Sequence, residues 1–160
     1  MIRVGFGYDA HRFVAGRPLI LGGVQIPHER GLQGHSDADV LLHAACDALL
    51  GAAGLKDLGH HFPDTAPELE GVSSVILLRR VVNMVREAGF ELHNLDSTIV
   101  AQYPKLVPYI DSMISTIGDV LGVKPQQLSV KATTTEGMGF VGSGEGIAAY
   151  AVVTLVESRK

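Results

Sequence analysis

Residues 2 to 9 carry the pattern of a strand, and Pro18-Leu19-Ile20-Leu21-Gly22-Gly23-Val24-Gln25-Ile26-Pro27 reads as a bent hairpin or two short strands around Gly22-Gly23. Ser36, with Asp39 three residues on, has the form of a capping box, and the almost wholly apolar run behind it predicts a helix to about Ala53, stopped by Gly54. Residues 56 to 72, punctuated by Gly59, Pro63, Pro67 and Gly71, predict a loop. A loop of that length in a compact domain points to function or movement. From Ser73 to Ala88 the helical period returns, with Arg79, Arg80, Asn83, Arg86 and Glu87 on the wet face and Gly89 as the stop. Leu92 to Ala101 predicts a strand. Lys105 to Leu121 predicts a third helix with Leu106, Ile110, Met113, Ile114, Ile117 and Leu121 on one side, Pro108 tolerated in its first turn, and Gly122 behind it. Leu128 to Thr135 and Ile147 to Val156 predict strands joined by a glycine-rich loop. No repeat or linker interrupts this order. It predicts one α+β domain over residues 1–160, with helices on one face of a mixed sheet of four-stranded type.

Composition narrows the chemistry. Although 46% of the residues are hydrophobic, every apolar stretch is broken by Gly, Pro or charge before the 18 or so residues that a membrane span needs. The start of the chain runs straight into strand-like sequence without a basic or apolar leader, so a cytoplasmic protein with no membrane partner is expected. Cys46 is the single cysteine, which excludes an internal disulfide and a thiolate-rich zinc site. Metal ligands must then be His, Asp or Glu. A formal charge of -4 and the lack of any Lys/Arg-rich run argue against nucleic-acid binding. A small anionic substrate remains compatible if a metal supplies positive charge.

Three clusters carry candidate chemistry. Asp9 and His11 sit two apart, so on an extended strand both side chains could reach one ion, although such a pair is more often a surface or hydrogen-bonded pair. Asp39, His43 and Asp47 are spaced by four on the first helix and form a polar stripe on an apolar element. Taken singly, His43 is more readily a satisfied core histidine. Taken together, Asp9, His11 and His43 make a two-imidazole, one-carboxylate set suited to zinc or a similar ion, with a fourth position open and Asp39 or Asp47 as a candidate partner orienting an imidazole. The third cluster is Lys131-Ala132-Thr133-Thr134-Thr135-Glu136-Gly137-Met138-Gly139-Phe140 with Gly142-Ser143-Gly144-Glu145-Gly146 behind it. Its hydroxyls, exposed N–H groups and carboxylate could cradle phosphate and metal, and a flexible hairpin explains the same residues equally well.

Two other motifs are set aside. Gly5-Phe6-Gly7-Tyr8-Asp9-Ala10 matches a dinucleotide fingerprint, but Gly16 and Pro18 arrive before the helix that motif must open. No glycine run is followed by the Lys-Ser/Thr pair of a P-loop.

Gly7-Tyr8-Asp9-Ala10-His11, His35-Ser36-Asp37-Ala38-Asp39 with His43, Asp57-Leu58-Gly59, Phe62-Pro63-Asp64-Thr65, Pro104-Lys105 and Lys131-Ala132-Thr133-Thr134-Thr135-Glu136 resemble, in order and over essentially the whole chain, the 2-C-methyl-D-erythritol 2,4-cyclodiphosphate synthase family. The resemblance implies a homotrimer with active sites between subunits. It also implies conversion of a cytidine-diphosphate-linked methylerythritol 2-phosphate into a cyclic diphosphate and CMP, in the non-mevalonate route to isoprenoids. Asp9, His11 and His43 are implied to hold one zinc-type divalent ion per site, and Glu136 to help hold one magnesium or manganese ion. His35 and Thr134 are implied to polarise the reacting phosphates. Ser36, Asp57, Leu58, Gly59, Phe62, Pro63, Asp64, Thr65 and Ala66 are implied to bind the methylerythritol part, joined by Phe140 and Ser143. Ala101, Gln102, Tyr103, Pro104, Lys105, Leu106 and Val107, with Ala132, Thr133 and Thr135, are implied to bind the nucleotide. The chain departs from many relatives at Ser143, where they carry an Arg linked to phosphorylated isoprenoids in the trimer's central cavity, so weak or absent binding of such compounds is expected. A hydrolase using the same donors to activate water, or a binding module with a structural metal, are the rival readings.

Overall fold

A computed structural model of the chain describes residues 1–158. Four long strands and a two-residue edge strand form the main sheet: β1 (Ile2–Val14), β4 (Gly31–Leu32), β5 (Phe90–Val100), β6 (Leu128–Thr133) and β7 (Gly146–Glu157), in the order β4-β1-β7-β5-β6. The sheet therefore has five strands where four were expected, because Gly31 and Leu32 pair with Val14 and Phe13. Strand β7 runs antiparallel to both β1 and β5, whereas β5 and β6 are parallel. The sheet is mixed, as the sequence pattern implies. A separate hairpin of β2 (Leu19–Leu21) and β3 (Val24–Ile26) turns through Gly22 and Gly23, both with positive φ, the arrangement of the two-residue turn that suits strand twist.

The helices α1 (Val40–Ala53), α3 (Ser74–Glu87) and α4 (Ile110–Leu121) cover one face of this sheet. Helix α1 is buried almost all round, which places it in the middle of the domain with the sheet on one side and α3 on another. The wet face expected for α3 is exposed at Arg79, Arg80, Asn83, Arg86 and Glu87, and Met113, Ile117 and Leu121 of α4 are buried. The segment 56–72 is less bare than expected: it contains the single turn α2 (Leu58–His61) and a 3-10 turn at Pro67–Leu69. Helix α4 begins five residues later than the pattern suggests, behind a 3-10 turn at Val107–Tyr109. A further short turn, α5 (Gly139–Gly142), lies in the glycine-rich connection to β7.

Close approach explains the glycines of β1 better than a nucleotide would. A Cβ on Gly5 would stand 1.9 Å from the Ala48 carbonyl oxygen, and one on Gly7 would stand 1.9 Å from that of Ala44. Strand and helix thus touch main chain to main chain.

The start of α1 corrects the capping-box reading. Asp39, not Ser36, is the N-cap: its carboxylate accepts from Leu42 N–H at 3.1 Å and also from Gly22 and Gly23 N–H at 3.0 and 2.7 Å. Ser36 instead accepts from Ala38 N–H at 3.1 Å, closing a turn in which Ala38, fully buried, takes a left-handed φ of 57°. Asp39 is fully buried, so Asp39→Ala orphans three N–H groups and removes a cap. A loss of about 3 kcal/mol is expected in urea denaturation, and a change below about 1 kcal/mol would contradict this account.

Candidate metal centre

The three candidate metal donors lie where β1 crosses α1. Asp9 and His11 project from alternate positions of β1 to the side on which Gly5 and Gly7 meet the helix, and His43 stands in the first turn of α1. Asp9 Oδ2 lies 2.8 Å from His11 Nε2 and 3.1 Å from His43 Nδ1, and the two ring nitrogens are 3.3 Å apart. The three side chains are mostly buried. Tetrahedral zinc with ligand bonds of about 2.0–2.1 Å separates its donors by about 3.3 Å, so this cluster matches a divalent ion with little adjustment. Among the described residues no fourth His, Cys, Asp or Glu joins the group. Three donors leave such an ion one position for a ligand.

His11 is oriented by its other nitrogen. Nδ1 lies 2.8 Å from the Gln33 carbonyl oxygen, which can only accept, so Nδ1 carries the proton of the neutral ring and the lone pair of Nε2 is left free for an ion. Neither Asp39 nor Asp47 plays the orienting part expected of them. Asp39 is spent on the N–H groups already named, and Asp47 accepts from Leu58 N–H at 2.7 Å. His43 Nε2 instead meets Ser74 Oγ at 2.9 Å and Ser36 Oγ at 3.1 Å.

Charge in the cluster favours a metal over a proton only above a certain pH. Burial opposes ionisation of Asp9, yet the close imidazoles of His11 and His43 prevail and bring its carboxyl down to about 2. Burial likewise disfavours a charged His11, and the Asp9 contact outweighs it, raising the imidazole above its ordinary value. Asp9 thus stays available as a ligand throughout the working range, while His11 must lose a proton before it can bind an ion. Zinc affinity is expected to fall about tenfold per pH unit once pH drops below the raised value of His11. Competition titrations with a chelating indicator from pH 8 to 5.5 measure this, and a flat profile would contradict it.

A cavity of about 310 Å³ opens beside the donors. Its wall includes His35, Ser36, Leu58, Gly59, Phe62 and Asp64, six of the residues singled out for the reacting phosphate and the methylerythritol part. His35 is held through Nε2, 2.8 Å from the Ala66 carbonyl, and the Arg17 guanidinium grips the carbonyls of Gly34 and Ser36 on either side of it. Asp57, Pro63, Thr65 and Ala66 do not line the cavity; Asp57 caps α2 by accepting from His60 N–H at 2.8 Å.

The remaining expected residues assemble elsewhere on the chain. Ala101 N–H donates to the Thr133 carbonyl at 2.9 Å and Gly137 N–H to Gln102 Oε1 at 3.2 Å, which sets residues 101–107 beside the threonine-glycine segment at the ends of the parallel strands β5 and β6. Tyr103, Pro104 and Lys105 face a second cavity with Phe13, His28 and Arg30. Lys105, Val107, Ala132, Thr133, Thr134 and Glu136 are exposed, Thr135 is half-buried, and Leu106 is buried in the core. Phe140 lines a shallow pocket with Ala10 and His11, and the exposed Ser143 donates to the Phe140 carbonyl at 3.2 Å. One chain therefore gathers the metal donors with His35 and Ser36, and gathers the nucleotide segment with Thr133–Glu136. It does not enclose the two groups in one cavity. Sequence reasoning missed Ser74, Gln33 and Arg17; a second serine beside the capping Ser73 was the one visible signal.

Fold and site define a small α+β protein with a two-histidine, one-aspartate cluster that could hold a metal ion at a strand-helix crossing. Residues 2–156 match the model of the YgbB family, and the chain belongs to that family. It is 61% identical over 154 residues to the 2-C-methyl-D-erythritol 2,4-cyclodiphosphate synthase of Syntrophobacter fumaroxidans, covering 96% of this chain and 97% of that protein. Among solved structures, it resembles the Plasmodium falciparum IspF CDP complex with a TM-score of 0.87 and 32% identity, over 99% of this chain and 97% of that one. It also resembles the bifunctional IspDF of Campylobacter jejuni with a TM-score of 0.95 and 46% identity, over 98% of this chain and 42% of that longer protein.

Proposed function

We propose that the protein is a metal-dependent cyclase that converts 4-diphosphocytidyl-2-C-methyl-D-erythritol 2-phosphate into 2-C-methyl-D-erythritol 2,4-cyclodiphosphate and CMP, in the cytoplasm and in the non-mevalonate route to isoprenoid precursors. The observation that carries this reading is the three-donor centre opening onto the cavity of His35 and Ser36, in a chain matched along its length by cyclodiphosphate synthases. In the reaction an oxygen of the 2-phosphate forms a bond to the β-phosphorus. The bond from that phosphorus to the bridging oxygen breaks, and CMP leaves with that oxygen. The nucleophile belongs to the substrate, so the protein's work is to position and to neutralise.

Asp9, His11 and His43 would hold a zinc-type ion, which when bound supplies positive charge to a phosphate oxygen. His35 and Thr134 orient the reacting phosphates. Ser36, Asp57 to Gly59 and Phe62 to Ala66 seat the methylerythritol part, with Phe140 and Ser143 beside them. The main chain of residues 101–107, with Ala132, Thr133 and Thr135, binds the cytidine diphosphate. Glu136, an exposed hard carboxylate, would serve a magnesium or manganese ion.

The separation of the metal cavity from the nucleotide segment supports a homotrimer with sites completed between subunits. So does the helix-free face of the sheet, where Ile2, Val4 and Phe6 are 67, 66 and 62% exposed beside Tyr8, Tyr150 and Val152. A contiguous apolar face of that kind marks an interface. Phe6→Glu is expected to shift the protein toward monomer in light scattering and to lower activity with it; a fully active monomer would sink the trimeric site.

Product analysis tests the reaction itself. Phosphorus NMR after incubation with the diphosphate-linked substrate should show CMP and a cyclic diphosphate. CMP with an open-chain bisphosphate would identify a hydrolase instead.

A further inference from the structure

We propose that Ser74 and Asp37 are positioning residues of the metal centre, acting in series through His43. Ser74 is the first residue of α3 and is fully buried. Its hydroxyl lies 2.5 Å from Asp37 Oδ1, and its N–H donates to Asp37 Oδ2 at 3.1 Å. A serine hydroxyl has one proton and an ionised carboxylate can only accept, so the Ser74 proton is committed to Asp37. The 2.9 Å contact between Ser74 Oγ and His43 Nε2 is then a hydrogen bond only if Nε2 is the donor. With the proton on Nε2, the lone pair of His43 Nδ1 points at Asp9 and His11, where an ion would take it.

Ser36 could not make this choice alone. Its Oγ lies 3.1 Å from the same Nε2 and accepts from Ala38 N–H, but its own proton has no carboxylate to hold it, so it would tolerate either tautomer. The choice therefore falls to Asp37 by way of Ser74. The same pair ties the centre to the substrate side of the fold: Asp37 N–H donates to the Val72 carbonyl at 3.0 Å, and Val72 lines the metal cavity. The N-terminus of α3, the end of the 56–72 segment and the third metal donor thus form one hydrogen-bonded unit.

The proposal rests on the metal reading of the site but not on cyclisation, and its test is metal binding by the full chain. Metal is stripped with a chelator, zinc affinity is measured by competition with a chelating indicator, and cobalt is loaded to record its visible ligand-field spectrum. Ser74→Ala is expected to weaken zinc binding 10–100-fold, the range seen when partners of ligating histidines are removed, and to change the cobalt spectrum. Ser74→Thr, which keeps the hydroxyl, should return the affinity to within a few-fold of the parent. Asp37→Asn should weaken binding too, and the double variant Asp37→Asn/Ser74→Ala should lose no more than Ser74→Ala alone. Melting of the metal-free variants separates this from unfolding, because the affinity is compared only between folded proteins. Parent affinity and spectrum in folded Ser74→Ala would overturn the proposal, as would a double variant whose loss is the product of the two single losses. A parent protein that binds no zinc would overturn both this proposal and the metal reading beneath it.

Discussion

His43→Ala is expected to abolish stoichiometric zinc binding and to slow cyclisation by on the order of 10³-fold or more. The remaining donors, Asp9 and His11, are already paired with each other at 2.8 Å and would be left as a two-point site. Several kcal/mol of charge stabilisation at a phosphate oxygen then disappears, and each 1.36 kcal/mol is tenfold in rate. The fold should survive, because the truncated ring leaves the hydroxyl of Ser36 on an open cavity where water can satisfy it, and Ser74 keeps its hydrogen bond to Asp37. Elemental analysis of the purified variant and single-turnover kinetics measure the two effects. A variant that keeps one zinc per chain would show that His43 is not a ligand.

Gly7→Ala should be nearly as damaging, by a different route. Its new methyl would stand 1.9 Å from the Ala44 carbonyl oxygen, where carbon and oxygen normally keep about 3.2 Å or more, and the obstacle is helix backbone that no rotamer can relieve. The helix must lift off the strand by more than an ångström, so a loss above about 4 kcal/mol is expected in denaturant melts. Whatever fraction stays folded would hold His43 away from Asp9 and His11 and bind zinc weakly. Gly51→Ala is the control: it lies in the same helix with nothing within 4 Å of its added carbon, and should stabilise by up to about 1 kcal/mol. A Gly7→Ala protein as stable as the parent would refute the main-chain contact between β1 and α1.

Local periodicity made α3, α4 and the long strands legible, because each buries one face and the pattern repeats within a few residues. The convergence of Asp9, His11 and His43 was legible for a related reason: Asp9 and His11 share a strand face, and His43 is one of the few polar residues on a largely apolar helix. What stayed hidden depends on contacts far apart in the chain. Nothing local distinguishes Asp37 from Asp39, yet one bonds Ser74, 37 residues on, and the other bonds the Gly22-Gly23 turn. The edge strand Gly31–Leu32 is too short to have a period, and its existence depends on β1 running on to Val14. The late start of α4 reflects the 3-10 turn at Val107–Tyr109, which a helical pattern through Pro108 cannot signal. The division between the metal cavity and the nucleotide segment could not be seen locally either, since it concerns how distant strand ends are placed.

The left-handed turn at Ala38 gives the segment His35–Asp39 a property of its own. Within five consecutive residues the chain presents one side chain to the Ala66 carbonyl, one to His43, one to the start of α3 and one to the start of α1, with Ala38 as the pivot between the last two. Four of the five residues are assigned to different neighbours, and the fifth, Ala38, sets the turn between them. The neighbouring stretch from Pro67 to Glu70 is exposed apart from Leu69 and has room to change length, but His35–Asp39 has no slack. An insertion or deletion there would pull at least one of these side chains off its partner, and α1 follows directly behind Asp39, so the segment tolerates only exchanges of one side chain for another.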